Sequence, residues 1–191
     1  MIYPIVAFGH PVLREKTKEV SKDHPDLAEF LDNMYETMYN AKGVGLAAPQ
    51  IGRSLRIFIV DGSPMEDSRE ESDESMEGWK KVFINPVKIE EFGDEWGYDE
   101  GCLSIPDIIE EVYREESIRL RYFDENWVEH EEVFSGLKAR VIQHEYDHLE
   151  GVLFVDYLRG LRKQLIKSRL LRISKGKYSS FYPMDFAVKS K

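Results

Sequence analysis

Two histidines and a glutamate in His144-Glu145-Tyr146-Asp147-His148 are the residues of this sequence with the clearest chemical potential. Residues four apart lie on one face of a helix, so His144 and His148 can offer ring nitrogens to one metal ion, with Glu145 beside them. A divalent ion lowers the pKa of a bound water from about 15.7 to about 7, and a nearby carboxylate can accept the released proton. The pattern therefore indicates metal-dependent hydrolysis, although a surface helix can carry it by chance.

The flanking residues predict a helix of ordinary length around this pattern. Ser135 is a candidate N-cap, and Gly151 is a candidate for the position just past the C-terminus. Apolar and metal-binding side chains share one face at three- and four-residue spacing, so that face must point inward. The residues on it are Leu137, Val141, His144 and His148.

A catalytic metal site usually has three protein ligands, so two histidines leave one ligand to be found. No Glu or His follows Glu150, and Phe154 stands where metzincins place a third histidine. The third ligand must therefore lie upstream. The candidates are Cys102, His10, His24, His130 and the many carboxylates.

Cys102 is the only cysteine and is followed closely by Pro106, which is typical of a sharply shaped loop. A lone cysteine is otherwise most often an inert, buried, small apolar side chain. We favour Cys102 as the third ligand because the two-histidine site requires one. Of the other histidines, His24 marks a helix start and His130 is expected at the surface.

Three short motifs occur in order along the chain: Gly43-Val44-Gly45-Leu46-Ala47-Ala48-Pro49-Gln50, Glu100-Gly101-Cys102-Leu103-Ser104, and Gln143-His144-Glu145-Tyr146-Asp147-His148-Leu149. In this ordered set the chain resembles the peptide deformylases. The resemblance extends from Pro11 to Asp156 and says least about residues 62–81 and about the last fifteen or so residues.

The resemblance implies an enzyme that removes the N-formyl group from the N-terminal formylmethionine of newly synthesised proteins and releases formate. It implies Cys102, His144 and His148 as ligands of one divalent metal ion, with Glu145 as the proton-transfer residue. Iron, as Fe2+, is the ion implied in the cell, whereas Zn2+, Ni2+ or Co2+ could occupy the same ligands in purified protein.

The resemblance also implies roles for the first two motifs. The Gln50 side-chain amide and the Leu103 backbone N–H would stabilise the oxyanion of the reaction, and Gly45 would lie against the substrate backbone. Four residues are expected to form the apolar pocket for the methionine side chain. Val44 and Tyr98 are assigned by resemblance, and Leu137 and Val141 because they share the inward face of the metal helix.

The arrangement of predicted elements favours an α+β fold, with antiparallel sheets packed around a central metal-binding helix. An amphipathic helix is predicted over residues 24–42, and strands over residues 55–60, 81–89, 117–123 and 127–134. Strands that precede a single late helix, without regular strand–helix alternation, are typical of this class. Asp147 and Arg114 are predicted to pair and brace the metal helix.

Length and composition predict one catalytic domain over residues 1–191, which we expect to be monomeric. Hydrophobic residues make up 42% of the chain and charged residues 32%, as in soluble globular proteins. A single cysteine excludes an intrachain disulfide framework and suits a reducing, cytoplasmic setting. The start of the chain lacks the pattern of a signal peptide, and no apolar run is long enough to span a membrane.

Two segments carry most of the charge asymmetry. Residues 62–79 predict a mobile acidic surface insert, which explains much of the net charge of -10. From Tyr157 to Met184 there are eight basic residues and no acidic ones, which predicts a basic helix from about residue 157. This helix either packs on the domain with a solvated basic side or makes weak contact with ribosomal RNA. Its expected apolar face consists of Leu158, Leu161, Leu165, Ile166 and Leu170.

Two other classes of protein share part of these features. A general zinc endopeptidase would also carry H-E-x-x-H, but it needs an extended cleft, and the absence of a third ligand downstream counts against it. A non-catalytic module that binds RNA or nascent chains would need only the basic C-terminal segment. Such a module leaves Glu145 and Gln50 unexplained.

Overall fold

A five-stranded antiparallel sheet, in which each strand pairs with the next one along the chain, forms the framework of the protein. The structure is a computed structural model that describes residues 1–63, 76 and 78–187. The strands of this sheet are β2 Gly45–Ala47, β3 Ile57–Asp61, β4 Lys80–Cys102, β5 Ile105–Phe123 and β6 Glu129–Ser135. Together with the helices below, the sheet confirms the predicted α+β class.

Strands β4 and β5 form a hairpin that is much longer than the sequence pattern predicted. The predicted strand 81–89 is the first part of β4, and the predicted strand 117–123 is the last part of β5. Register shifts interrupt the pairing, for example between Ile84 and Val87. The hairpin ends where Cys102 pairs with Ile105, so the tight turn predicted around Cys102 is the tip that joins the two strands.

Helix α1 Leu27–Asn40 lies within the predicted range of 24–42, and helix α2 Gly136–Leu149 carries the metal-binding pattern. Ser135 precedes α2 with extended backbone, as an N-cap residue does, but its side chain makes no capping hydrogen bond. Gly151 follows the helix at a φ of +74°, a conformation that glycine adopts most readily. The boundaries predicted from Ser135 and Gly151 are therefore those of the structure.

Helix α2 packs against the sheet through its apolar side chains. Ala139, Ile142 and Leu149 are fully buried in one cluster with the strand residues Phe58 and Phe83. This packing fixes the rotation of α2 about its axis. It therefore also fixes the direction in which the polar residues of the helix point.

The basic helix α3, Gly160–Ser174, lies near the predicted start, but the predicted apolar face is wrong at two positions. Leu161 and Leu165 are 69% and 66% exposed, whereas Ile166 and Ile173 are buried. Ile166 and Ile173 lie seven residues apart on one face, with Leu170 between them, and this face contacts the domain. The sequence offered two overlapping apolar faces, and docking against the domain selected one of them.

After α3 the chain returns to the domain through β7, Met184–Asp185, which pairs in parallel with β1, Ile5–Val6. This short sheet brings the C-terminal segment beside the tip of the β4–β5 hairpin. Among the residues that the structure describes, no helix is both long enough and apolar enough to cross a membrane.

The predicted mobile acidic insert, residues 62–79, falls mostly on positions outside the described residues. Met76 and Trp79 within it are described, and both are buried in the core cluster beneath α2. Gly62 donates a backbone hydrogen bond to Trp79 at 2.8 Å, so the two ends of the insert lie together.

Candidate metal centre and active site

The structure brings together the three residues predicted as metal ligands. Cys102 ends β4, and His144 and His148 lie one turn apart on α2. The Cys102 Sγ lies 3.3 Å from the His148 Nε2, and one ligand atom from each of the three residues lies within 4.8 Å of the others. A thiolate and two imidazoles form a donor set that suits zinc and neighbouring divalent transition metals. The residues present therefore fit one metal ion.

The orientation of His144 is set by a carboxylate. The Nδ1 of His144 lies 2.9 Å from Oε2 of Glu100, which is buried two residues before Cys102. A ligating histidine commonly uses its second nitrogen in this way, because the hydrogen bond fixes the tautomer and the ring orientation. Glu100 therefore leaves the Nε2 of His144 available to a metal ion.

The environments of the two histidines differ electrostatically. Burial lowers the pKa of His148 well below its ordinary value, and nearby His144 adds to that shift. Burial acts on the pKa of His144 in the same direction, but its contacts with Cys102 and Glu100 raise that pKa well above its ordinary value. Neutral imidazole is the form that binds metal. Burial therefore favours the metal-binding form of His148, whereas the contacts of His144 with Cys102 and Glu100 favour its protonated form when no metal is bound.

Glu145 lies beside the ligands on α2 and is 5% exposed. Its Oε2 is buried and has no hydrogen-bond partner among the described residues. Burial raises the pKa of Glu145 to about 7. A carboxyl group poised near neutral pH, with one oxygen unpaired, can both accept and return a proton.

Gln50 is oriented so that its amide nitrogen faces the ligand cluster. Its Oε1 accepts a hydrogen bond from the Ala47 backbone N–H at 2.8 Å, so its Nε2 is the group directed at the site. That Nε2 lies 3.5 Å from both Cys102 Sγ and Ser104 Oγ. Leu103, whose N–H was the other predicted oxyanion donor, lies in the turn between β4 and β5.

A cavity of about 610 Å³ opens beside these groups. Apart from His148, which is buried, every residue predicted for the site lines this cavity. These residues are Val44, Gly45, Gln50, Tyr98, Cys102, Leu103, Leu137, Val141, His144 and Glu145. The cavity therefore combines an apolar wall with the metal-binding cluster.

Gly45 has a packing reason to be glycine. A Cβ at this position would lie 2.5 Å from the Oε1 of Glu145 and 2.8 Å from its Cδ. Any larger residue would therefore displace the carboxylate. This contact is an addition to the predicted role of Gly45 against the substrate backbone.

A buried ion-pair network supports the site from behind, and sequence reasoning found only part of it. Arg114 donates to Asp147 at 2.7 Å, as the sequence predicted, and also to Glu100 at 2.8 Å. Arg140 donates to the same Glu100 at 2.9 Å. Hydrogen bonds from His144 and Arg114 outweigh the effect of burial and hold the pKa of Glu100 well below its usual range.

The roles of Glu100 and Arg140 were missed in the sequence. The available signals were that Glu100 lies two residues before Cys102, and that Arg140 lies four residues before His144 on the same helical face. Neither signal reveals that the two residues meet each other.

The remaining histidines lie elsewhere and have other partners. His10 accepts a hydrogen bond from Val12 N–H, and His24 contacts the Pro25 carbonyl. His130 lies 2.8 Å from Asp124 and stacks on Tyr122.

Comparison with known proteins places these features in a family. The family model described as polypeptide deformylase matches residues 2–164. A peptide deformylase of Christiangramia forsetii is 55% identical over 190 residues, covering 97% of this chain and 96% of that protein. A peptide deformylase of Cytophaga hutchinsonii is 52% identical, with 99% and 100% covered.

Solved structures agree with these sequence matches. A peptide deformylase from Legionella pneumophila is 33% identical with a TM-score of 0.78, covering 93% of this chain and 98% of that chain. A peptide deformylase from Thermotoga maritima is 38% identical with a TM-score of 0.73, covering 84% and 99%. The chain therefore belongs to the polypeptide deformylase family.

Proposed function

We propose that this chain hydrolyses the formamide bond of N-formylmethionyl peptides and newly synthesised proteins, releasing formate. The observation that carries the proposal is the buried Oε2 of Glu145, which has no hydrogen bond to any described residue and lies beside the cluster of Cys102, His144 and His148. Membership of the deformylase family supports the same activity.

Cys102, His144 and His148 would hold one divalent metal ion. When bound, such an ion supplies Lewis acidity and lowers the pKa of water, so that a hydroxide nucleophile is accessible near neutral pH. We propose Fe2+ as the ion in the cell. The His2Cys donor set also accepts Zn2+, Ni2+ or Co2+, which could occupy the site in purified protein.

Glu145 performs the proton transfer in this proposal. Its carboxylate takes a proton from the attacking water and then delivers it to the departing amine. A pKa of about 7 suits both steps, because neither protonation state is strongly disfavoured near neutral pH. The Gln50 Nε2, oriented by the hydrogen bond from Ala47, donates to the developing oxyanion together with the Leu103 backbone N–H.

The substrate is positioned by the apolar part of the cavity. Val44, Tyr98, Leu137 and Val141 receive the methionine side chain, and Gly45 lies against the peptide backbone. Burial of a methionine side chain contributes about 1.5 to 3 kcal/mol, which is enough to select it over small side chains.

We further propose that the chain works as a monomeric single catalytic domain in the cytoplasm, close to ribosomes. The eight basic residues of the segment 157–184 support weak contact with ribosomal RNA through α3. The overall net charge of -10 would repel ribosomal RNA from the rest of the surface. Association through this segment should therefore weaken as salt concentration rises.

The test is formate release from a formyl-methionyl tripeptide by protein purified without oxygen or loaded with nickel. Cys102→Ala and His148→Ala should lose both the bound metal and the activity. His130→Ala, which removes a histidine outside the cluster, should retain both. The absence of formate release from folded, metal-loaded protein would reject the proposal, and cleavage of an unformylated peptide would favour a peptidase instead.

A further inference from the structure

A C-terminal segment, residues 178–182, lines the same cavity as the metal ligands. It follows α3 and lies beyond residue 164, where the match to the family model ends. Ala41, Lys42 and Gly43, which lead into the first motif, line the cavity beside this segment. The cavity therefore extends past the proposed methionine pocket to a wall whose C-terminal residues lie outside the three motifs.

This C-terminal segment is held in place at both ends. The Tyr178 hydroxyl donates a hydrogen bond to the Asp107 carboxylate. The Tyr182 hydroxyl donates to the carbonyl of Leu103 at 2.7 Å, and Tyr182 itself is 7% exposed. Directly afterwards the chain enters β7, which pairs with β1. The wall is therefore already formed before any ligand binds, which lowers the entropy cost of binding.

Phe181 is the exception within this anchored segment, because it is 72% exposed. Its ring packs edge-on against Tyr182, with the centroids 4.9 Å apart. The Nζ of Lys42 lies 5.6 Å from the Phe181 ring centroid, close enough for a cation–π interaction. A large aromatic ring held in one orientation at the rim of a cavity gains stability when an apolar group covers it.

We propose that Phe181, with Lys42 beside it, binds an apolar side chain of the substrate residues that follow the formylmethionine and so sets sequence preference there. The inference rests on the proposed deformylase function. A nascent chain bound with its formyl group at the metal centre must leave the cavity as an extended peptide, at about 3.3 to 3.6 Å per residue. Leu103 connects the two regions, because it directly follows Cys102 and its carbonyl is bound by Tyr182.

The experiment compares kcat/KM for formyl-methionine amide with kcat/KM for longer formylated peptides. In the longer peptides, leucine replaces glycine at the second, third or fourth position in turn. The native protein should prefer leucine over glycine at one of these positions. Phe181→Ala should reduce that preference by about threefold to tenfold, since partial burial of one leucine is lost. It should leave turnover of formyl-methionine amide unchanged.

Three further variants make the result specific. Phe181→Leu should restore most of the preference, and Lys42→Met should reduce it less than Phe181→Ala does. Val128→Ala removes a side chain that is 52% exposed and lies outside the cavity lining, so it should have no effect. The melting temperature of each variant should match that of the native protein.

A leucine preference that survives in Phe181→Ala at every position would overturn the inference, as would an equal loss on formyl-methionine amide. Either result would leave the proposed function intact, because the native protein would still release formate. A native protein that releases formate from none of the formylated substrates would reject the proposed function, and this inference with it.

Discussion

Helices α2 and α3 have nearly the same length, 14 and 15 residues, but α2 buries most of its charged residues whereas α3 exposes them. In α2, three of the four charged residues, Arg140, Glu145 and Asp147, are buried, and Lys138 is half-buried. In α3, the buried residues are the apolar Ile166 and Ile173, and the basic side chains lie outside the core.

The two helices therefore differ in the free energy that their charged residues cost the fold. Charged residues in α2 lose their hydration, whereas those of α3 keep it. A buried charge must be paired or must serve a function, because its desolvation costs several kcal/mol. Arg140 and Asp147 are paired, whereas the Oε2 of Glu145 has no hydrogen-bond partner in the part of the chain that the structure describes. The solvated charges of α3 contribute little to the fold. We therefore assign chemistry to α2 and at most surface contacts to α3.

The sharpest test of this contrast is Glu145→Gln. The amide keeps the shape of the side chain but cannot accept the proton, so we expect kcat/KM to fall about a thousandfold or more while the metal content stays unchanged. Formate release and metal analysis on the same preparation measure both quantities. Glu131→Gln, on the exposed side of β6, should leave both unchanged. Turnover retained in Glu145→Gln would remove the proton-transfer role.

The next largest effect is expected from Arg114→Met, which keeps an unbranched side chain but removes the guanidinium group and its charge. Glu100 and Asp147 would each lose a buried hydrogen-bonded partner. The free energy of unfolding should therefore fall by about 3 to 5 kcal/mol. Denaturant unfolding measures this loss. Arg162→Met on α3 breaks an exposed pair with Glu110 and should cost less than about 1 kcal/mol. Equal losses in the two variants would contradict the contrast between the helices.

Acid should weaken the network around α2 in a predictable direction. Because the pKa of Glu100 is lowered in the folded protein, its contribution to stability is complete above its unfolded pKa of about 4.3 and is lost as the pH falls below that value. The loss should approach about 1.4 kcal/mol per pH unit. Unfolding free energies between pH 3 and pH 6 should show a shallower decline in Glu100→Gln than in the native protein. Parallel curves would show that Glu100 is not the titrating group.

The smallest effect on the enzyme itself is expected from Lys163→Glu combined with Lys167→Glu on α3. Stability should change by less than about 0.5 kcal/mol, and formate release from short peptides should be unchanged. Cosedimentation with ribosomes at low salt should decrease, whereas Lys22→Glu, remote from α3, should leave it unaffected. Unaltered cosedimentation in the α3 variant would exclude this helix as the contact.

Sequence reasoning predicted those elements whose signals are local. The helices α1 and α2 and the class of fold follow from apolar periodicity and from cap residues such as Gly151. The length of the β4–β5 hairpin did not follow, because register shifts interrupt its alternation and much of it is solvent-exposed. The apolar face of α3 was assigned partly wrongly at Leu161 and Leu165, since two overlapping faces were compatible with the same spacing.

For the site, the sequence by itself determined which residues could bind a metal and transfer a proton, because helical spacing places His144, Glu145 and His148 together. It also predicted the contact between Asp147 and Arg114. Only the tertiary structure decided that Glu100 orients His144 and that Phe181 stands at the rim of the cavity. Each of these features brings together residues more than forty positions apart. It depends on how the hairpin, α2 and the C-terminal segment pack together, and no short-range pattern in the sequence encodes that packing.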